Sequence, residues 1–84
     1  MNQNNTNENK FFLTDMEENQ EGIIISVLGG RMATKRLADL GLTPKTEIKV
    51  FKKAPFSGPV MIEVRGSKLI IGLGLASKIL VKLK

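Results

Sequence analysis

The chain has 84 residues, enough for one small domain and no second. It contains no Cys, His, Trp or Tyr, which excludes disulfide frameworks, thiolate nucleophiles, Cys-based metal centres, the usual general base and most aromatic stacking platforms. The net charge of +5 is unevenly spread. Residues 1–21 set five acids against Lys10, a net −4, whereas residues 22–84 set twelve Lys or Arg against Asp39, Glu47 and Glu63, a net +9.

Residues 1–10 carry five Asn and no apolar residue after Met1, so they are expected to form a disordered tail, with the folded domain spanning 11–84. Phe11, Phe12 and Leu13 form the first apolar cluster and should lie against the body. Residues 14–18 read as a turn or one short helical turn. This acidic lead-in, if mobile, could shield the basic body. Residues 22–28 alternate, with Ile23, Ile25 and Val27 on one face, and predict a strand that ends at Gly29 and Gly30.

The period then changes. Ala33, Leu37 and Leu40 recur at helical spacing, so residues 31–40 predict a short amphipathic helix. Gly41 suits a left-handed stop, Leu42 can fold back on the last turn, and Pro44 prevents continuation. Residues 46–53 alternate again, with Ile48 and Val50 inward. Two prolines stiffen the connector at 54–59. Val60, Ile62 and Val64 face inward in the next strand, and Gly66 with Ser67 marks a hairpin. Residues 68–71 form a strand, 72–77 a glycine-punctuated turn, and 79–83 a last strand with Ile79, Val81 and Leu83 on one face. The expected fold is mainly β: a small closed barrel of about five strands, with one short helix inserted between the first two.

Few groups carry chemistry. Residues 32–43 superficially match the first helix of a helix-turn-helix, but the alternating strand after Pro44 leaves no recognition helix. Asp15, Glu17, Glu18 and Glu21 match no metal-loop spacing and read as a solvated acidic segment. Gly72 and Gly74 lack the third glycine and the βαβ setting of a dinucleotide fingerprint. No catalytic, cofactor or metal residue is therefore assigned, and the chain is expected not to be an enzyme. Lys49, Lys52, Lys53, Arg65, Lys68, Lys82 and Lys84 fall on outward strand faces, where they serve either solubility or docking of an acidic partner. Phe56, held between Pro55 and Pro59, either folds over one end of the barrel or stands out as a rigid apolar anchor.

Taken in order, RLADLGLTP at 36–44, APF at 54–56, GPV at 58–60 and VRG at 64–66 resemble the core signature of the ferrous iron transport protein A (FeoA) family. The likeness extends from about residue 12 to 83, taking in Gly22, Gly29, Gly30 and the closing ASKILV at 76–81. It implies an SH3-like barrel and a small cytosolic accessory of ferrous iron uptake. Its implied partner is the FeoB-type iron permease, through the permease's cytosolic GTP-binding domain, which would hold the protein at the inner face of the membrane. The fold is also similar to the C-terminal SH3-like domain of diphtheria-toxin-repressor-type regulators, without their DNA-binding and dimerisation domains.

Fe2+ association belongs to the resemblance alone, since no His or Cys ligand is carried over. Lys45 stands where the family commonly has Gly, so the turn after Pro44 is not expected to require a positive φ. Gly72, Leu73 and Gly74 replace a charged stretch. The expected partner-binding residues are Pro55 and Phe56 as apolar contact, with Lys52, Lys53 and Arg65 supplying charge. No nucleic acid is expected in this reading, and a weak homodimer is compatible with it. The alternative is a basic SH3-like module that binds nucleic acid, with a steep salt dependence, or acts as a metal-responsive regulator.

Overall fold

Wherever β-branched and aliphatic residues alternate with polar ones, the chain forms strands of one antiparallel sheet. The computed structural model describes residues 9–56 and 58–84. Six strands appear: β1 (Lys10–Phe12), β2 (Glu21–Val27), β3 (Glu47–Lys53), β4 (Val60–Val64), β5 (Ser67–Ile71) and β6 (Ile79–Leu83). A 3-10 turn at Leu13–Asp15 follows β1, helix α1 (Gly30–Asp39) joins β2 to β3, and a short helix α2 (Leu73–Ala76) joins β5 to β6. The strand order β1-β6-β2-β3-β4-β5 leaves β1 and β5 as edges. The expected closed barrel is thus an open six-stranded sheet among the described residues.

The added strand is β1. It begins at Lys10, the last residue of the stretch expected as tail; residues 1–8 of that stretch lie outside the described residues. Three residues are too few to show a period, and β1 exists through its antiparallel pairing with β6. Its presence places α1 after the second strand rather than the first. The Leu83 N–H donates to the Asn9 carbonyl (2.7 Å) and the Lys84 N–H to the Glu21 carbonyl (3.0 Å).

From Leu13 to Gln20 the lead-in is fixed to the body. Leu13 and Met16 are fully buried in the core. The Asn19 N–H donates to the Val50 carbonyl (2.7 Å) and the Val50 N–H to the Gln20 carbonyl (2.9 Å). A shielding segment needs freedom that these contacts remove from Asp15, Glu17 and Glu18.

Val50, Val60, Ile62, Val64, Ile79 and Val81 turn inward as the alternation requires, and they pack with Leu37, Leu42 and Ile71 into one cluster. In β2, however, Ile24 is buried while Ile23 and Ile25 are half-buried. A bulge between Ile24 and Ser26 inserts one residue against β6, which resets the phase so that Val27 meets the core beyond it. The helix also ends a residue early. The Leu42 N–H donates to the Leu37 carbonyl (2.8 Å) and the Gly41 N–H to the Ala38 carbonyl (2.9 Å), with Gly41 at φ 85°. These are the two bonds of a Schellman stop. They bury Leu42 and leave Leu40, expected on the helix's inner face, exposed.

The turn from α1 into β3 departs from expectation as well. The Thr46 N–H donates to the Thr43 carbonyl (3.1 Å), and Lys45 has φ 78°. With Pro44 before it, Lys45 occupies the position of a type II turn that glycine favours, so the turn does require a positive φ despite the Lys.

A candidate docking face on the β3–β4–β5 side

The outer face of β3, β4 and β5 is built in rows, because paired residues of neighbouring strands point the same way. Lys52 opposes Met61, and Met61 opposes Ile70. The next outward row joins Lys49, Glu63 and Lys68. A bulge between Val50 and Lys52 makes Phe51 the extra residue of β3. Its half-exposed ring lies under the Lys68 ammonium, 4.4 Å from Nζ to the ring centroid, a favourable cation–π placement.

At the far end of the Lys52 row the connector turns back, with the Ala54 N–H donating to the Pro59 carbonyl (3.0 Å). Lys52, Lys53, Ala54, Pro55, Pro59, Met61 and Ile70 line a groove of about 260 Å³. Its walls are mostly hydrocarbon, with the lysine stems contributing CH₂ groups. Ile70 is 67% exposed. Beside the groove, Phe56 is 99% exposed and sits at φ 57°. The reading of Phe56 as folded over one end of the barrel is thereby excluded. A bulky residue both in the left-handed region and entirely in solvent gains nothing within the fold from its ring.

Of the five residues expected to bind a partner, Lys52, Lys53, Pro55 and Phe56 come together here. Lys53, however, is engaged inside the molecule: its Nζ donates to the Thr14 carbonyl (2.8 Å) and its N–H to Glu18 Oε2 (3.2 Å). Arg65 lies elsewhere. Arg65 and Gly66, both at positive φ, form the two-residue turn between Val64 and Ser67, the geometry of a type I′ hairpin. The hairpin turn is therefore one residue earlier than Gly66 with Ser67. It places Arg65 four residues beyond Met61, about 13 Å along β4. There Arg65 Nη1 donates to the Gly41 carbonyl at the end of α1 (3.4 Å). Met61 and Ile70, which complete the groove, were not anticipated; their signal is that both are aliphatic at an outward position.

The opposite end of the sheet is polar. Lys84 Nζ lies 3.2 Å from Glu47 Oε1 and 3.8 Å from Glu21 Oε1. Glu21, Glu47, Ile48, Lys49, Glu63, Arg65, Gly66 and Lys84 line a second cleft of about 240 Å³. Among the described residues no three His, Cys, Asp or Glu side chains converge into a cluster that could hold a metal ion. Nor, among them, is any helix long and apolar enough to cross a membrane.

The family model for the FeoA domain matches residues 12–83. The chain belongs to the FeoA family. That is a family of accessory transport proteins and not of enzymes, in keeping with the SH3-like fold and the small catalytic repertoire of the sequence. A protein of Methanocaldococcus jannaschii named "Putative Fe(2+) transport protein A" is 36% identical over 66 residues, 79% of this chain and 78% of that one. A crystal structure described as that of the iron uptake regulatory protein FeoA is 36% identical with a TM-score of 0.83, covering 89% of this chain and 99% of the other. A manganese-dependent transcriptional repressor superposes with a TM-score of 0.82 at 14% identity over 89% of this chain but only 42% of its own, which establishes shared fold alone. Family membership and the relative's name support a role for this member of the family in ferrous iron transport.

Proposed function

We propose that this FeoA-family protein is a cytosolic adaptor that docks on the FeoB-type iron permease, through the permease's GTP-binding domain, and modulates it. The observation that carries this reading is a fully exposed Phe56 beside an apolar groove. An aromatic ring that the fold leaves entirely in water has its whole transfer free energy still to gain on docking. Lys52 at the groove's rim adds attraction for an acidic partner; Arg65, about 13 Å away, belongs at most to the periphery. Membrane association then follows from the permease and needs no lipid-binding element in this chain. In this reading the ferrous ion is the permease's cargo.

Titration of the isolated cytosolic domain of the cognate permease, by calorimetry with and without guanine nucleotide, tests the reading. Phe56→Ala should weaken binding at least tenfold while leaving the melting temperature unchanged. Absence of binding at sub-millimolar concentration, to that domain and to the intact permease, overturns it. The rival reading, a nucleic-acid or metal-responsive module, rests on the basic body and the shared fold alone.

A further inference from the structure

The β5 edge carries more information than its exposure. Arg65 and Gly66 make a two-residue hairpin, so Val64 and Ser67 close it as a pair that exchanges both hydrogen bonds. Alternation along the ladder then turns the N–H and C=O of Leu69 and Ile71 toward β4, and those of Lys68 and Ile70 away from it. β5 ends the sheet, and among the described residues no other backbone group bonds to residues 67–71. The two residues that offer free backbone groups also point their side chains outward, as the ends of the two rows described above.

Natural edges are commonly blunted by charge, proline or a covering element. Here Lys68 supplies one charge, but the neighbouring Ile70 is 67% exposed beside the groove. Extending each row by one strand states what would fit. Beyond Lys52, Met61 and Ile70 the next residue is apolar. Beyond Lys49, Glu63 and Lys68 the alternating charge asks for a carboxylate. An antiparallel strand runs from the Ile71 end to the Ser67 end, so it meets Ile70 before Lys68.

We propose that the free edge of β5 takes up an extended segment of a protein partner as a seventh, antiparallel strand, with an apolar residue opposite Ile70 and Asp or Glu two positions later opposite Lys68. This rests on the docking reading given above and names how the partner is held: main-chain bonds to Lys68 and Ile70 give affinity, and the two rows give specificity. A second copy of the chain fits less well. Each copy carries +5, and pairing two β5 strands about Leu69 sets each Lys68 against an Ile70.

Amide hydrogen exchange separates the outcomes. In the free protein Leu69 and Ile71 should exchange slowly and Lys68 and Ile70 fast. Adding the permease's cytosolic domain should slow Lys68 and Ile70 at least tenfold. Binding that leaves those two amides fast overturns strand addition and leaves docking standing; no binding at all overturns both. Protection that appears in the protein alone and rises with its concentration assigns the edge to a second copy and overturns the proposal. As an independent measurement, Ile70→Pro removes a donor that faces away from β4, a place where proline is tolerated, whereas Ile70→Ala removes only side chain. The proline variant should bind at least fivefold more weakly than the alanine variant, and equal affinities overturn the proposal.

Discussion

The two ends of the β3–β4 hairpin treat their functional groups in opposite ways. At the Glu47 end, Lys84 sits between two glutamates and Arg65 donates to the end of α1. Charges there are answered by neighbours in the same chain. At the Lys53 end, Phe56, Ile70 and the groove walls face solvent with little from this chain against them. Exposed ion pairs contribute little to stability, and exposed hydrocarbon contributes nothing to folding. The contrast teaches that recognition is to be sought where the fold leaves surface unsatisfied, and not where charge is densest.

The comparison can be broken from its rigid side first. At the polar end Gly22 pairs with Ile48 and Leu83, and a Cβ there would stand 2.7 Å from the Lys82 carbonyl oxygen, with the Val81 side chain also in the way. Gly22→Ala should cost about 3 kcal/mol, seen as a fall in melting temperature of roughly 15 °C. A loss under about 1 kcal/mol would mean that this end yields as easily as the other.

At the groove end stability and binding should separate. Phe56→Gly relieves a left-handed aromatic and removes the anchor. Binding to the permease's cytosolic domain should fall at least tenfold, while urea denaturation shows stability unchanged or raised by about 0.5 kcal/mol. A loss of both together would make Phe56 a structural residue.

A smaller effect tests the strain stored beside the polar end. Lys45→Gly places glycine where the type II turn favours it and should raise stability by about 1 kcal/mol, read as a higher urea midpoint with unchanged slope, and should leave binding intact. The smallest effect concerns Lys84. Lys84→Met removes both of its ion pairs, yet should shift stability by less than about 0.5 kcal/mol, a difference that disappears as salt is raised. A larger loss would show that the polar network holds the sheet together.

Local signals were legible in the sequence, and long-range ones were not. Gly41, Leu42 and Pro44 announced the helix stop because a Schellman motif is written in consecutive residues. The inward faces of β3, β4 and β6 followed from alternation. Which face of β2 is buried does not follow from alternation alone, because the bulge at Ile24 and Ser26 depends on β6, distant in sequence. The strand β1 was invisible for the same reason. In the candidate site, Pro55 and Phe56 stood out through their stiff, apolar neighbourhood. Arg65 was grouped with them by charge alone, and only the register of β4 shows how far away it lies. Met61 and Ile70 escaped notice because one outward aliphatic residue means nothing until the pairing sets it beside another.

The bond between the Leu83 amide and the Asn9 carbonyl has a practical consequence. It brings residues 9 and 84 level with Ile48 and Lys49, four to five residues or about 15 Å along β3 from Lys53. A fluorophore, a surface tether or a fused domain joined at either position therefore leaves from the side opposite the groove. Immobilised through Lys84, the protein keeps Phe56 and the β5 edge turned toward the solution.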